Sequence, residues 1–494
     1  MPYLLALDQG TTSSRTVLYD SDGRVIASAQ KEFPQYYPQP GWVEHDAEEI
    51  WASQEATLRE VLGRCGVPLS EIAGVGISNQ RETTIVWERD TGRPLSRAIV
   101  WQDRRTAERT EAMKGAGEER GIREKTGLLL DPYFSATKLA WLLESVDGLR
   151  ERGARGEVCF GTVDSWLIYR LSGGRVHVTD VSNASRTLLF NIHTLQWDPE
   201  LLARFGIPAA MLPEVLPCAA SFARCALPGL EGLVVTGVAG DQQAALFGQG
   251  CFAAGMAKAT YGTGAFIVMN SGKEPVLGEG VLTTIGWQLG NEVCYALEGS
   301  VFIAGAALQW LRDGLGILAS SAEAEALARS VPDNGGVYFV PALTGLGTPY
   351  WDPFARGVIA GLTRGSGRGH LVRAALEAIA YQTCDAIEAM ERAGNIPVQA
   401  LRVDGGAAAN DLLLQFQADL LGVPVLRPAL TETTSLGAAL LAGIGAGVFD
   451  LAELRSRSTP ERRFEPTGDP SRRDQLRAGW RRAVSLALGW EKPS

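Results

Sequence analysis

Leu4-Leu5-Ala6-Leu7-Asp8-Gln9-Gly10-Thr11-Thr12-Ser13-Ser14-Arg15-Thr16-Val17-Leu18-Tyr19-Asp20 reads as an apolar strand, a short hydroxyl-rich turn and a second apolar strand. Gly10 lets the backbone bend without a Cβ penalty, and the N–H groups and hydroxyls of Thr11, Thr12 and Ser13 can point at phosphate oxygens, with the charge of Arg15 nearby. The turn is not a P-loop, which needs Gly-x-x-x-x-Gly-Lys-Ser/Thr running into a helix; here the chain resumes as a strand. Asp8, at the end of the first strand, is where a carboxylate could hold a water of a phosphate-bound magnesium ion, a metal that takes few protein ligands. An ordinary hairpin with a polar tip would use the same residues, since glycine and threonine are common in turns.

A second copy weighs against the ordinary hairpin. Met256-Ala257-Lys258-Ala259-Thr260-Tyr261-Gly262-Thr263-Gly264-Ala265-Phe266-Ile267-Val268-Met269-Asn270 repeats the strand, glycine and threonine turn, and strand in the other half of the chain. Two phosphate-type hairpins, one per half, imply a duplicated architecture with a nucleotide clamped between the halves. The arrangement resembles the actin, Hsp70 and sugar kinase superfamily. The fold class it implies is α/β, two ribonuclease-H-like (actin-like ATPase) domains with a cleft between them. The boundary is expected near Gly250, dividing the chain into lobes 1–250 and 251–494.

Composition is compatible with this. A chain of 494 residues, 46% hydrophobic, is long enough for two or three domains with separate cores. The 46 basic and 56 acidic residues give a net charge of −10, which argues against nucleic acid or an anionic membrane as the main partner. No apolar run approaches the ~18 residues of a membrane span, and Met1-Pro2-Tyr3 lacks the basic start of a signal peptide, so a cytoplasmic protein is expected. Seven cysteines without a Cys-x-x-Cys pair, and four scattered histidines, indicate neither a disulfide framework nor a structural metal.

Coarse patterning places the remaining elements. Asp22-Gly23 is a turn signal and Val25 to Phe33 a third strand of a meander. Asp46 with Glu49 reads as a capping box opening a helix whose buried stripe is Ile50, Trp51, Leu58, Val61 and Leu62, and which Gly63 and Gly66 bring to a stop. A later helix runs from Leu371 to Arg392 with Gly394 beyond its end, and the last carries Leu476, Trp480, Val484 and Leu488 as a core-facing stripe.

Chemistry-bearing residues fall outside these regular patterns. Arg81-Glu82 interrupts two core runs, Gly74 to Gln80 and Thr83 to Trp87; both side chains can meet one ligand only at a strand end or bend, and a surface salt bridge at a hairpin tip is the plainer alternative. Trp101 ends an apolar strand before a charged cluster, as the wall of a small pocket or as ordinary packing. Tyr133 follows the Asp131-Pro132 turn where a helix opens, with its hydroxyl free to bond a substrate. Val234 to Gly248 is an apolar strand, a glycine turn and an acid at a helix start; Asp241 is there either as an N-cap or as a general base at a strand's carboxyl end. Leu401 to Asn410 ends in Gly405-Gly406, against which an adenine ring could lie, and Gly305 and Gln309 open a helix that could flank it.

Together these residues resemble the glycerol-phosphorylating branch of the FGGY sugar kinase family. The resemblance rests on Asp8 to Arg15, Asn79-Gln80-Arg81-Glu82-Thr83-Thr84, Gly240-Asp241-Gln242-Gln243, Tyr261-Gly262-Thr263-Gly264 and Asp404-Gly405-Gly406, in the family's order. Tyr133 to Glu144 and Gly357 to Glu377 also look like its general patterns, and the likeness runs from about Leu4 to Trp490. It implies that Arg81, Glu82, Tyr133, Asp241 and Gln242 bond the hydroxyls of glycerol under Trp101 and Phe266. It further implies ATP contacts at Thr11, Thr12, Ser13, Arg15, Thr263, Gly305, Gln309, Gly406 and Asn410, with Mg2+ held through water by Asp8 and Asp241. Asp241 would be the base for direct in-line transfer, lobe 1–250 would carry glycerol and phosphate, and lobe 251–494 the adenine nucleotide. Implied partners are glycerol, ATP and ADP, and further copies of the chain in a dimer or tetramer.

Two departures bear on regulation. Pro228-Gly229-Leu230-Glu231-Gly232-Leu233 lacks the arginine of the Gly-Gly-x-Arg loop that binds fructose 1,6-bisphosphate in some bacterial members, and Ser221-Phe222-Ala223-Arg224 stands where others carry a phosphorylatable histidine. Two rival readings are a kinase of the same family for a pentulose or gluconate, and an ATP-driven clamp of the actin or Hsp70 kind. The first tends to carry Gln-Met-His-Gly where this chain has Gln80-Arg81-Glu82-Thr83, and the second does not require the polar pocket.

Overall fold

Tyr3–Gln9, Ser13–Tyr19 and Val25–Glu32 form the expected antiparallel meander in the computed structural model, which describes residues 2–429, 432–457 and 461–492. Ile72–Asn79 adds parallel to the first strand and Val234–Gly240 parallel to that, with Ala219–Arg224 antiparallel at the edge. The second half repeats the plan. Met256–Tyr261, Ala265–Gly272 and Glu292–Val301 form an antiparallel run, extended outward by Leu282–Leu289, while Ala400–Asp404 and Val425–Pro428 add in parallel on the other side of Met256–Tyr261. Leaving out Leu282–Leu289, an insertion in the second half, the strand order in both sheets is therefore third, second, first, fourth, fifth, with the same directions. Such a parallel step from one strand to another needs a crossover of a dozen or more residues, which the intervening helices supply. An α/β protein with two sheet-bearing lobes is what the chain forms.

Helix Ala47–Cys65 covers the first sheet with Ile50, Trp51, Leu58 and Val61 buried, and Ser53 and Thr57 bond Ser14 and Thr16 at 2.8 and 2.9 Å. Asp46 caps it through the N–H of Glu48, but the capping box does not form, because the Glu49 carboxylate turns to accept from the Tyr36 hydroxyl at 3.0 Å. Gly63 lies inside the helix; Gly66, at φ 69°, ends it, since the left-handed conformation is what glycine adopts without strain. The long helix runs Arg368–Gly394, so Gly394 is its last residue and left-handed Asn395 its cap. In the last helix, Pro470–Ala487, Trp480 and Val484 are buried, whereas Leu488 falls beyond the final turn and is exposed.

Helix Thr433–Gly445 lies in sequence between Val425–Pro428 and Glu461–Phe464, both strands of the second sheet, yet packs on the first. Thr236 Oγ1 donates to the Ala442 carbonyl at 2.9 Å, and Tyr19 and Ser435 hydroxyls meet at 2.7 Å. The approach is so close that a Cβ on Gly76 would collide with Ala438, and one on Gly437 with Ala244 of helix Asp241–Gly248. Glycines there set the distance between helix and sheet, which no periodicity in the sequence reveals.

Candidate functional site

Strand register lines up the chemistry. Asp8 pairs with Ser78 and Ser78 with Ala239, so three parallel strands end together, and Asp241 stands just past the third. Two interstrand steps of about 4.8 Å separate the backbones of the first and third strands, which puts the Asp8 and Asp241 carboxylates on one rim. Burial raises the pKa of Asp8, the Ser78 hydroxyl (2.7 Å) and Arg15 oppose that, and the charge of Asp241 adds to the rise. Gly240, not Asp241, is the helix N-cap; Asp241 is the first helical residue, accepts from the Gln242 N–H at 2.7 Å, and keeps 30% of its side chain exposed to the cleft.

Arg81 and Glu82 leave strand Ile72–Asn79 at a bend where Glu82 has φ 59°. Both are buried, at 3% and 1% exposure, which rules out the surface salt bridge. Arg81 Nε lies 3.2 Å from Asp241 Oδ1, Nη2 donates to the Tyr133 hydroxyl at 3.3 Å, and Nη1 donates to Gln243 at 3.3 Å. The Glu82 carbonyl accepts from the Ser135 hydroxyl at 3.0 Å and from Lys138 Nζ at 3.3 Å, and these donors hold its left-handed backbone. Tyr133 is seated by its N–H on Asp131 at 2.8 Å, two residues before helix Ser135–Ser145. Burial raises its hydroxyl pKa, so it is a neutral donor and acceptor.

The two hairpins share this crevice. Trp101 Nε1 donates to Thr11 Oγ1 at 3.1 Å on the first, and its ring lies 6.2 Å from Phe266 of the second and 5.6 Å from Tyr133, edge to face in both cases. Gly10 N–H bonds the Ser13 carbonyl at 2.9 Å and Gly262 N–H the Gly264 carbonyl at 2.9 Å, closing two similar turns. Thr12 and Thr263 are exposed, and Thr11 and Ser13 are partly so. Helix Gly305–Asp313 starts on the second turn: Gly305 donates to the Gly262 carbonyl at 2.9 Å, and a Cβ there would come within 2.6 Å of that oxygen. Gly405, at φ 85°, packs on Tyr261, which brings exposed Gly406 to the same side with open space above it. Asn410 caps helix Asp411–Leu421 through the Leu413 N–H at 2.9 Å, and Gln309 is exposed. Arg15 is drawn away from the turn, its guanidinium paired with Glu432 and with Gln30 at 2.8 Å.

Four charged residues outside the sequence-derived set complete the pocket. Glu298 accepts from Arg81 at 2.5 and 3.1 Å and from Arg186 at 2.9 Å, and Arg186 also donates to Glu82 at 2.7 Å. Burial alone would raise Glu298, but Arg186 and Arg81 hold its pKa down at about 2; Glu82, for which burial outweighs the same two cations, is raised. Lys258 Nζ bonds Gln242 and, at 3.0 Å, Thr260; burial lowers its pKa to about 8. Lys138 is the fourth. Glu298 and Lys258 are lone charges in largely apolar runs, as in Tyr295-Ala296-Leu297-Glu298-Gly299, and that was the signal available for them, since a charge is almost never fully buried unless paired; Arg186 and Lys138 follow hydroxyl-bearing residues and carried no such signal.

A cluster of polar side chains walled by aromatic rings lies beside two hydroxyl-rich turns of duplicated sheets, an arrangement suited to a small-molecule kinase. Residues 3–248 match the model of the FGGY family of carbohydrate kinases, N-terminal domain, and residues 257–446 the C-terminal domain of that family. The chain belongs to the FGGY family of carbohydrate kinases. It is 66% identical, over the whole of both chains, to a protein named glycerol kinase from Citrifermentans bemidjiense. Among solved structures it is similar to that of Plasmodium falciparum glycerol kinase with ADP, at 35% identity and a TM-score of 0.93 over 99% of this chain and 98% of that one. A ligand-bound xylulose kinase from Lactobacillus acidophilus shares the fold, with a TM-score of 0.88 at 23% identity over 98% of each chain.

Proposed function

We propose that this chain transfers the γ-phosphoryl group of ATP to a terminal hydroxyl of glycerol, forming sn-glycerol 3-phosphate and ADP. The observation that carries the reading is the pocket in which Arg81 touches both Tyr133 and Asp241 under the rings of Trp101 and Phe266, and full-length relatives named glycerol kinase support it. A triol offers donors and acceptors on every carbon. Arg81 and Tyr133 donate to its oxygens, Glu82, Asp241 and Gln242 accept from its hydroxyls, and the two rings cover its C–H face.

Asp241 takes the proton of the attacking hydroxyl, whose oxygen then displaces ADP in line without a covalent intermediate. The residue suits this role because its carboxylate faces the cleft while Arg81 Nε and the Gln242 N–H fix its orientation. The N–H groups and hydroxyls of Thr11, Thr12, Ser13 and Thr263 stabilise phosphate charge, and Gly305, Gln309, Gly406 and Asn410 border the adenine nucleotide. In this division residues 1–250 supply most of the contacts to glycerol and phosphate and residues 251–494 hold the adenine nucleotide, with Thr263 and Phe266 reaching across to the phosphate and the triol. The donor set fits magnesium carried in on the nucleotide: the charge of Asp241 adds to the raised proton affinity of Asp8 across the rim, and no group of three or more potential ligands that could hold a metal occurs among the described residues. Bound there through water, the ion would neutralise phosphate charge. Closing the cleft would exclude water and restrict ATP hydrolysis.

The test is ADP release by purified protein across a panel of glycerol, xylulose, gluconate and no acceptor. Glycerol is expected to be preferred, and Asp241→Asn to lower its turnover by about 10²–10⁴-fold. Preferential turnover of xylulose or gluconate, or an unimpaired Asp241→Asn, would refute the reading.

A further inference from the structure

The first lobe's hydroxyl-binding side chains are not held by the first lobe alone. Lys258, Val268 and Glu298 lie in one register row across three strands of the second sheet, and so face the same way. That face meets the first lobe, where Lys258 reaches Gln242 and Glu298 reaches Arg81 and Arg186. Strand Glu292–Val301 is paired on both sides at Glu298, with Val268 and with Leu282, so its carboxylate hangs from one of the most constrained backbone positions in the lobe.

Glu298 and Arg186 have no exposed surface, yet between them they touch three of the side chains assigned above to the triol. Glu298 takes both terminal nitrogens of Arg81, which leaves Nε turned toward Asp241. Arg186 takes one oxygen of Glu82, leaving the other for a hydroxyl, and lies 5.6 Å from the centre of the Tyr133 ring. Stability does not demand such a cluster, because replacing buried ion pairs by apolar groups is often neutral or stabilising. What the cluster does supply is fixed geometry, since a two-point guanidinium–carboxylate bond restrains orientation as well as distance.

We infer that Glu298, with Arg186, is a positioning residue for substrate recognition: the second lobe fixes, through one carboxylate, the side chains with which the first lobe binds the polyol. The inference deepens the glycerol kinase reading and rests on it. Neither residue touches the reacting atoms, and loss of the fork would move Arg81 by the order of an ångström, a displacement that costs roughly 10²-fold in a well-oriented site.

The test measures glycerol and ATP kinetics for the wild type, Glu298→Gln, Glu298→Asp and Arg186→Lys, with thermal unfolding of each. Expected are a glycerol KM raised roughly 10²-fold in Glu298→Gln and about tenfold or more in Arg186→Lys, an ATP KM within about twofold of wild type, and partial recovery of glycerol KM in Glu298→Asp. A purely structural role would lower the melting temperature and the yield of folded enzyme while leaving the glycerol KM of the folded fraction unchanged. That pattern, or failure of every variant to fold, would overturn the inference. Wild-type protein that does not turn over glycerol would instead sink the functional reading beneath it, so the two failures are told apart by the first measurement.

Discussion

Replacing Lys138 by methionine should change how stability depends on pH, and in a direction the structure fixes. Lys138 is fully buried beneath the pocket, and its amine bonds the carbonyls of Glu82, at 3.3 Å, and Tyr133. Burial lowers its pKa from 10.5 to about 7, against the opposing pull of Glu82, Asp103 and Asp131. A neutral amine still has two N–H donors for those two carbonyls, so the bonds survive deprotonation. In the unfolded chain the same lysine titrates near its ordinary value. Between pH 7 and 10 the unfolded state therefore binds a proton that the folded state does not, and folding is penalised more as pH falls, until the penalty levels off below the folded pKa. Each unit is worth about 1.4 kcal/mol, and the whole window about 5 kcal/mol. Methionine keeps the bulk and has no proton to bind. The stability of wild type minus that of Lys138→Met should accordingly rise by about 1.4 kcal/mol per pH unit from pH 7 to 10 and be flat below. Other titrating groups cancel in the difference, which urea unfolding followed by tryptophan fluorescence would supply at each pH. A difference that is constant from pH 7 to 10, or that falls, would refute the claim that this amine is buried neutral.

Gly305→Ala should impair nucleotide use without touching the polyol: its Cβ, 2.6 Å from the Gly262 carbonyl oxygen, forces the second hairpin and helix Gly305–Asp313 apart, and kcat/KM for ATP should fall by up to roughly 10²-fold at unchanged glycerol KM in steady-state assays. Gly437→Ala should destabilise the protein by about 1–3 kcal/mol, read as a lower unfolding midpoint, because the new methyl collides with the Ala244 backbone in the helix that begins at Asp241.

Much of this architecture was legible because duplication writes the same local pattern twice. Gly10 to Ser13 and Gly262 to Gly264 are turns whose residue types dictate the bend, and each is flanked by largely apolar strands that are buried along most of their length. What sequence alone hid is whatever depends on partners distant along the chain. Helix Thr433–Gly445 was not singled out from the sequence, and its place on the first sheet is set by small residues at Gly76, Gly237 and Gly437 meeting across hundreds of positions. The capping pair Asp46 and Glu49 has the right spacing, and only the proximity of Tyr36 diverts the glutamate. Arg81, Glu82 and Asp241 stood out as charges at strand ends, whereas Glu298 and Arg186 look in isolation like single polar interruptions, and their meaning arises only when the lobes meet.

The charge arrangement of the pocket bears on which acceptor it admits. Arg81 is the only cation among the residues assigned to the acceptor, and its charge is already spent: Glu298 takes two of its nitrogens and Asp241 lies 3.2 Å from the third. Arg186 is matched by Glu82 and Glu298, and Lys258 is turned to Gln242 and Thr260. A sugar acid such as gluconate would bring a carboxylate up to Asp241 and Glu82, which would repel it, while Arg81, the cation assigned to the acceptor, is already engaged by Glu298 and Asp241, and a poorly paired buried charge is among the costliest things a site can hold. A neutral triol faces no such cost, because its hydroxyls can donate to the carboxylates of Asp241 and Glu82 without bringing in a charge that has to be paired. Charge pairing within the protein thus favours an uncharged polyol over an acid, and the close approach of Trp101, Tyr133 and Phe266 favours a short one.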